Sequence, residues 1–508
     1  MMIKKYKKSH IIAFFILGLP FFAEFYLNIS YREFHSEFFV SSLARTIIRL
    51  IELSAVFLTT YIAYLLSNHK KMILLIWALL IYIPTSLNII SVYVSGFLIH
   101  EDFLSVIFNT DIKEATNCLK DYSVYIFWNF FVISSIFFIK STKITYRNKY
   151  YGTYAIFLLI SELVVMDLLP FHTVITTMSE YYSDMKEAKE YDKKHEPLNN
   201  IQNELKDQQQ TYVIVIGESV DRKHMSIYGY NRPTTPYFDN LKSELSVFKN
   251  VNTAHAFTSG AVKSMFQLNT SSNTNNKRYT LIHFFKDAGF KTFWFSNQGR
   301  AKVFDSVVTH LGKLCDEYKF INDADVSETS FFDESLLKYF RKALQDKAKQ
   351  KLIVLHLMGS HIPLKFRYPK EFRKFKISNN YYDKRKATYV TYYDNSILYT
   401  DYILNKIINL LKFQNGYSAM LYLSDHGQDI NDTKECELGT RTWPNSYEVP
   451  FIIWISDEYK NKNSAFIKSW NTYIPYVTDK TAYTIIDLAR MKHQSIDLSK
   501  SILSRKKF

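Results

Sequence analysis

Three residues of the C-terminal half of the chain have the side chains that a metal ion binds. Glu218 lies in the motif GES after one apolar run, and Asp425 and His426 lie in the motif SDHG after another. Two carboxylates and an imidazole supply the oxygen and nitrogen ligands that zinc or another divalent cation accepts. Each residue taken alone is explained as a helix cap or a loop carboxylate. Their joint placement after matching apolar runs favours a metal site.

A hydroxyl nucleophile is available in the segment HAFTSGAVKSMFQL. Here Thr258 and Ser259 stand just before an apolar, helix-like run. A bound cation lowers the pKa of a coordinated hydroxyl enough for it to attack at neutral pH. The start of a helix also supplies amide donors and the positive end of its dipole to a developing phosphoryl charge. An ordinary N-cap role explains either hydroxyl equally well on its own.

The elements that must position these residues begin at Thr211. Short β-rich apolar runs alternate with helical stretches, which predicts an α/β domain with helices packed on a mainly parallel central sheet. The predicted strands are 211–217, 291–295, 351–357, 418–424 and 450–456, and the predicted helices are 281–288, 333–348 and 391–413. In such sheets ligands gather beyond the carboxyl ends of the strands. Polar residues that directly follow the strands are therefore the candidates for function.

The first third of the chain predicts an α-helical membrane domain. Five apolar stretches have about the length that a helix needs to cross the hydrocarbon core of a bilayer. They are Ile11 to Ile29, Ile47 to Leu66, Met72 to Ile99, Tyr122 to Ile139 and Tyr151 to Leu169. The first stretch follows several lysines, as a signal peptide does, but Pro20 and Glu24 interrupt it and four more stretches follow. We expect it to be an anchor.

The distribution of basic residues predicts the orientation of these five transmembrane helices. Three segments that fall on one side of the membrane are rich in Lys and Arg: Lys4, Lys5, Lys7 and Lys8; Lys70 and Lys71; and Lys140, Lys143, Arg147 and Lys149. Loops of this kind lie in the cytoplasm. We therefore expect a transmembrane domain over 1–172 in a bacterial inner membrane, a membrane-surface linker over 173–209, and a periplasmic catalytic domain over 210–508.

Composition excludes a disordered chain, because 47% of the residues are hydrophobic and only 22% are charged. The net charge of +15 suits anionic partners such as phosphorylated lipids or glycans, although a solvated basic surface explains the same excess. No segment resembles a nucleic-acid-binding motif, so no nucleic-acid partner is expected. Cys118, Cys315 and Cys436 are too few and too scattered for a disulfide framework.

Five motifs in order carry a resemblance to a known family. They are VIVIGESVDRKHMSIYGYNRPTTP, the segment around Thr258, VLHLMGSHIPLKFRYP, SDHGQDINDT and VPFIIWIS. Together with the five apolar stretches, this arrangement resembles the membrane-anchored phosphoethanolamine transferases of the sulfatase and alkaline-phosphatase superfamily. The resemblance covers almost the whole chain, and it is closest to the branch that modifies the lipopolysaccharide core.

The resemblance implies a transferase that takes phosphoethanolamine from phosphatidylethanolamine onto Thr258 and passes it to lipopolysaccharide, with a core heptose favoured over lipid A. It implies a catalytic zinc ion held by Glu218, Asp425, His426 and the Thr258 side chain. Two alternatives stay open. One is a phosphoglycerol transferase of the same architecture, and the other is a non-catalytic, sulfatase-like envelope protein.

The resemblance also implies roles for residues outside this metal set. His361 matches a family histidine that contacts the phosphoryl group or a second zinc, and Thr110 and Glu114 match a segment near the lipid headgroup. Glu114 suits the ethanolamine ammonium, and a solvated loop acid explains it equally. Many family members have a second histidine in a YLHG motif after DHG, where this chain has Cys436 nearby and no histidine. We therefore expect one tightly bound zinc and at most a weak second one.

Overall fold

The structure is a computed structural model. It describes residues 197–504 except for 269–278, 299–306, 323–330, 363, 378–383 and 431–445, together with 69–84, 175–179 and a few other positions between 15 and 186. The chain divides into two compact units, and one point of division falls between Tyr181 and Tyr182. The C-terminal unit contains the motifs that the sequence singles out.

The strands and helices of the described residues are numbered in chain order. The strands are β1 (Gln202–Asn203), β2 (Gln210–Gly217), β3 (Leu245–Val247), β4 (Val251–Asn252), β5 (Gln267–Leu268), β6 (Tyr279–Thr280), β7 (Lys291–Ser296), β8 (Glu317–Phe320), β9 (Gln350–His356), β10 (Tyr417–Ser424), β11 (Phe451–Ile455), β12 (Tyr476–Val477) and β13 (Met491–Lys492). The helices are α1 (Lys70–Trp77), α2 (Pro236–Asn240), α3 (Thr258–Phe266), α4 (Leu281–Asp287), α5 (Val307–Leu314), α6 (Leu336–Leu344), α7 (Lys384–Lys412), α8 (Asp457–Lys462), α9 (Ser464–Lys468) and α10 (Thr481–Leu488).

A mixed seven-stranded sheet forms the centre of the C-terminal unit, in the order β3-β11-β10-β2-β9-β7-β8. The five strands from β10 to β8 run parallel, which confirms the mainly parallel sheet predicted from the sequence. β11 runs antiparallel to both of its neighbours, β10 and β3. An apolar run such as 450–456 indicates a buried strand but not its direction. Side chains alternate between the two faces of the sheet in the same way in parallel and in antiparallel strands.

Both faces of the sheet are covered, which explains why its strands read as continuous apolar runs. All eight residues of β2 are buried. Val213 and Val215 belong to a hydrophobic cluster that includes residues of α6 and α7. On the other face, Tyr212 packs against Phe285 of α4, with ring centroids 6.2 Å apart. The sheet is therefore the middle layer of an α/β/α arrangement.

The segment expected to link the two domains contributes a strand of its own. β1, at Gln202–Asn203, pairs with β13 at Met491–Lys492. Arg490 donates to Glu204 at 2.8 Å and 3.1 Å, and Lys492 lies 2.6 Å from the same carboxylate. These contacts tie the chain just before β2 to the C-terminal end of the sequence.

Before residue 197 the description covers little of the predicted membrane domain. α1 begins two residues before the third predicted span, and the π-helical turn Ala78–Tyr82 falls within it, just before Pro84, which lacks the N–H that a regular helix requires. The remaining predicted spans lie almost wholly outside the described residues. No helix in the described part of the chain is both long enough and apolar enough to cross a membrane.

The turn after β9 lies directly against the residue that follows β2. The Ser360 N–H donates to the Glu218 carbonyl oxygen at 2.9 Å. Gly359 has φ of +46°, and a Cβ atom at this position would meet the Glu218 backbone nitrogen and oxygen at 2.9 Å. The close approach of the two backbones therefore requires glycine.

Replacement of Gly359 should lower the free energy of unfolding by more than its left-handed backbone conformation alone would explain. Gly289, at φ of +85°, has no atom within 4 Å of a Cβ position, so Gly289→Ala is the matched control. We expect Gly289→Ala to lower the free energy of unfolding by about 1 kcal/mol and Gly359→Ala by about 3 kcal/mol, because the second also overpacks the Glu218 backbone. Denaturant unfolding of both variants measures the difference. Equal losses would contradict the required close approach.

Candidate metal centre and active site

The register of the sheet brings the candidate residues to one edge. Ser424, the last residue of β10, lies opposite Gly217, the last residue of β2. β2 and β7 both align with the end of β9, since His356 is the partner of Ile216 on one side and of Ser296 on the other. The residues that follow these four parallel strands therefore share one end of the sheet. Glu218 directly follows β2 and Asp425 directly follows the neighbouring strand β10.

Glu218, Asp425 and His426 form a compact, fully buried cluster. Each is 0% exposed. Their potential ligand atoms lie within 4.8 Å of one another. The His426 Nε2 atom is 3.4 Å from Glu218 Oε1 and 3.5 Å from Asp425 Oδ2. The sequence-predicted metal residues are thus brought together, and their donor atoms point at a common volume.

Hydrogen bonds from the backbone fix the orientation of this cluster. Asp425 Oδ1 accepts the Ser219 N–H at 3.0 Å and the His426 N–H at 2.7 Å. His426 Nδ1 lies 2.6 Å from the Gly427 carbonyl oxygen, an acceptor, so Nδ1 carries the proton and Nε2 is left with its lone pair. This arrangement resembles the way that proteins orient a metal-binding histidine.

Asp425 Oδ2 has no hydrogen-bond partner in the structure, although it is buried. Burial raises the pKa of the Asp425 carboxyl well above its usual value, and the nearby charge of Glu218 raises it further. Burial acts in the same direction on Glu218, but His426 and His361, together with hydrogen bonds from Asp425 and Ser219, outweigh it and hold the pKa of Glu218 well below its usual range. A buried pair of carboxylates with one unsatisfied oxygen is the electrostatic environment that a divalent cation stabilises.

Thr258 is the first residue of α3, and its hydroxyl points into this cluster. The hydroxyl donates to Glu218 Oε2 at 3.1 Å. Phe257 is the N-cap residue of α3. Thr258 therefore does not have the N-cap role that the sequence allowed as an alternative. The Thr258 hydroxyl also lowers the pKa of Asp425, against the larger effects of burial and of Glu218. Thr258 therefore completes a set of four oxygen and nitrogen donors.

This donor set suits zinc. Two carboxylates and one imidazole with an unprotonated Nε2 are ligand types that zinc binds in proteins, and the Thr258 hydroxyl brings the number of donors to four. The orphan Asp425 Oδ2 atom and the orientation of His426 are the observations that support this assignment.

His361 lies beside this cluster on the turn after β9. Arg367 donates through Nε to the His361 carbonyl oxygen at 2.6 Å and through Nη2 to the Ile362 carbonyl oxygen at 2.7 Å. Asp333 accepts the N–H groups of Met358 and Gly359 at 2.8 Å and 3.0 Å, which holds the beginning of the same turn. Thr110, Glu114 and Cys436 lie outside the described residues.

Sequence reasoning missed two polar residues at this edge of the sheet. Gln298, after β7, donates its side-chain amide to Glu218 Oε2 at 2.6 Å. His356, the last residue of β9, is fully buried, and burial lowers its pKa to about 4, which keeps it neutral. The signal for Gln298 was present, because 291–295 was predicted to be a strand and polar residues follow it directly.

Most of the C-terminal unit matches a known protein family. The sequence profile of the sulfatase family matches residues 210–491, more than half of the chain. The chain belongs to the sulfatase family. The matched residues run from β2 to β13 and include Glu218, Thr258, His361 and the Asp425-His426 pair.

Curated relatives of this sulfatase-family chain are named phosphoethanolamine transferases, which confirms the resemblance seen in the sequence. Phosphoethanolamine transferase EptC of Escherichia coli (strain K12) is 31% identical over 324 residues, which are 61% of this chain and 56% of the relative. Phosphoethanolamine transferase CptA of Salmonella typhimurium is 30% identical over 322 residues, 60% of this chain and 55% of the relative. The match thus spans little more than half the length of these relatives.

Solved structures show the same sulfatase fold. The C-terminal periplasmic domain of EptC from Escherichia coli in complex with Zn has 29% sequence identity and a TM-score of 0.57, and the match covers 61% of this chain and 90% of that one. The integral membrane protein lipooligosaccharide phosphoethanolamine transferase A from Neisseria meningitidis has 17% identity and a TM-score of 0.69, with 99% of each chain covered. At that identity, the second comparison shows the fold alone.

Replacement of Asp425 should separate metal binding from folding. Zinc at 100 times its dissociation constant should stabilise the parental protein by about 2.7 kcal/mol, and this shift should disappear in Asp425→Asn. The zinc-free variant should be at least as stable as the parent, because an amide next to Glu218 removes the repulsion between two buried carboxylates. Thermal unfolding with and without zinc measures both effects.

The matched control is Asp401→Asn. Asp401 is also a buried carboxylate, but it accepts the N–H groups of Tyr237 and Phe238 at 2.7 Å and 3.1 Å through separate oxygens. The NH₂ group of an asparagine at this position would face a backbone N–H group, so two donors would oppose each other. Asp401→Asn should therefore lose stability but keep the stabilisation by zinc. A zinc shift of parental size in Asp425→Asn would contradict the assignment of Asp425 as a ligand.

Proposed function

We propose that this protein is a zinc-dependent phosphoethanolamine transferase that forms a covalent intermediate on Thr258. One observation carries the proposal: the Thr258 hydroxyl lies 3.1 Å from Glu218 Oε2, at the edge of a buried cluster that suits a divalent cation. The names of the relatives give the transferred group. Zinc, when bound, would lower the pKa of the Thr258 hydroxyl and neutralise phosphoryl oxygens.

The proposed reaction has two displacements at phosphorus. In the first, Thr258 Oγ attacks phosphatidylethanolamine, the bond from phosphorus to the diacylglycerol oxygen breaks, and the hydroxyl proton ends on the released diacylglycerol. In the second, the oxygen of an acceptor O–H group attacks the same phosphorus, the bond to Thr258 breaks, and the proton of that group ends on Thr258. The headgroup is transferred intact, and the enzyme returns to its starting state.

The chain's own residues have separate parts in this scheme. Glu218 accepts the hydrogen bond of the Thr258 hydroxyl and so orients the nucleophilic oxygen. The first N–H groups of α3 would donate to the oxygens of the attacked phosphoryl group and stabilise their negative charge. His361, whose turn is held by the Arg367 contacts, is proposed to contact the phosphoryl group or a second zinc.

We also propose that the donor lipid reaches this site from a bilayer in which residues 1–172 are embedded, with residues 210–508 in the periplasm. The fold likeness to an integral membrane protein over 99% of the chain supports this arrangement. So do the apolar side chains exposed on and just after α1, where Met72 is 54%, Ile76 is 45% and Leu79 is 62% exposed. Thr110 and Glu114 are the residues that we propose for headgroup binding.

The nucleophile is testable by substitution. Thr258→Ala should lower the rate of transfer by at least about 10³-fold, because no other group replaces the attacking oxygen. Thr258→Ser should retain part of the activity, and Ser259→Ala is the neighbouring control that should retain most of it. The measurement is release of diacylglycerol from labelled phosphatidylethanolamine, together with mass spectrometry for phosphoethanolamine on a Thr258 peptide.

Full activity of Thr258→Ala, or a labelled peptide that contains Ser259 in place of Thr258, would refute the assignment. Headgroup loss from phosphatidylglycerol and not from phosphatidylethanolamine would instead favour the phosphoglycerol transferase.

The acceptor is proposed to be the lipopolysaccharide core, at a heptose, ahead of lipid A. The segment SDHGQDINDT followed by a run without YLHG, and the turn GYNRPTTP, resemble the core-modifying branch and support this choice. Mild acid hydrolysis separates lipid A from the core. We expect the added phosphoethanolamine, seen by mass spectrometry in cells that express the protein, in the core fraction. Its recovery on lipid A would overturn the acceptor and leave the chemistry in place.

A further inference from the structure

Gln298 is a polar side chain that touches the proposed zinc ligands without belonging to them. Its Nε2 donates to Glu218 Oε2 at 2.6 Å and to the Leu357 carbonyl oxygen at 3.2 Å. Both neighbours are oxygen acceptors, so the NH₂ end of the amide must face them. The chemistry of its partners therefore fixes the orientation of the Gln298 amide.

The oxygen that Gln298 contacts is the one that contacts the nucleophile. Glu218 Oε2 accepts Gln298 Nε2 at 2.6 Å and the Thr258 hydroxyl at 3.1 Å. The other oxygen, Oε1, accepts the Ser219 hydroxyl at 2.6 Å and lies 3.4 Å from His426 Nε2. The terminal torsion of a glutamate has a broad energy minimum, so its carboxylate rotates easily unless neighbouring groups fix it. Donors on both oxygens define which of them faces Thr258.

We propose that Gln298 is a positioning residue that holds the Glu218 carboxylate in the orientation required for metal binding and for the nucleophile. It acts from a different strand: Gln298 follows β7, Glu218 follows β2, and the shared Leu357 carbonyl follows β9. The inference rests on the proposed zinc site. It assigns to Gln298 an effect on zinc affinity and on turnover, and no part in substrate contact.

The surroundings of the Gln298 side chain indicate that it contributes little to the stability of the fold. Its side chain is half-buried, and its backbone N–H already donates to the Ser296 hydroxyl at 3.1 Å, independently of the side chain. Loss of the amide therefore removes little packing from the hydrophobic core. It does remove a hydrogen bond to a buried carboxylate that also faces another carboxylate, Asp425.

The test uses Gln298→Met in the purified full-length protein. Methionine has a similar size and shape but no donor, so the substitution removes the hydrogen bonds and keeps the volume. We expect the zinc dissociation constant, measured by competition with a chromogenic chelator, to rise about 10- to 100-fold, as for other residues that orient metal ligands. At saturating zinc, kcat should fall about tenfold while KM for phosphatidylethanolamine changes little. The unfolding temperature of the zinc-free protein should stay near that of the parent.

Gln350→Met is the matched control. Gln350 is the first residue of β9, at the opposite end of the sheet, and its amide donates to the Lys206 carbonyl oxygen at 2.8 Å. It should leave zinc affinity and kcat unchanged. If Gln298→Met binds zinc as tightly as the parent, the inference is overturned and the zinc site stands. If the loss of zinc affinity is accompanied by an equal loss of stability in the zinc-free protein, the role of Gln298 is structural and the inference is overturned. Failure of the parental protein to bind zinc would overturn both the inference and the proposed metal centre.

Discussion

Two carboxylates buried side by side are the constraint on which the rest of this site depends. Glu218 and Asp425 are both inaccessible to solvent, and they follow adjacent parallel strands whose last residues, Gly217 and Ser424, are paired. Burial of two like charges in a medium of low dielectric is costly unless a cation or a proton compensates them. Burial raises the pKa of Asp425 and the nearby charge of Glu218 raises it further, and a bound divalent cation would lower it.

The surrounding backbone holds these groups in place by hydrogen bonds and by local strain. Ser219 has φ of +59°, an uncommon conformation for a residue other than glycine. The Tyr393 hydroxyl stabilises it, since it donates to the Ser219 carbonyl oxygen at 2.7 Å and accepts the Asp221 N–H at 2.7 Å. This bend turns the Ser219 N–H toward Asp425, so the strain serves to orient a proposed ligand.

The position of Thr258 shows how a helix terminus and a metal site are combined. Because Phe257 is the N-cap, the Thr258 side chain is not needed to satisfy the helix and points at Glu218 instead. The start of α3 places the positive end of the helix dipole behind Thr258. The Thr258 hydroxyl contacts the proposed metal ligand Glu218 and lies at the positive end of this dipole. This placement suits attack at a phosphoryl group. The sulfatase fold supplies this placement through the order of its strands.

The sequence by itself determined the strands at the centre of the sheet and the types of residue at their ends. The buried runs were identified to within one or two residues because continuous apolar character depends only on local burial on both faces of the sheet. The motifs around Glu218, Thr258 and Asp425-His426 were also visible, since their chemistry is a property of the side chains. The resemblance to phosphoethanolamine transferases followed from the order of these motifs.

Only the tertiary structure decided how these pieces meet. It placed β10 beside β2 in a register that brings Asp425 next to Glu218, and it reversed the direction of β11. It also carried Gln298, from the end of β7, to within 2.6 Å of Glu218. Strand order, strand direction and contacts across the sheet depend on pairing between distant segments, which the periodicity of one segment cannot encode.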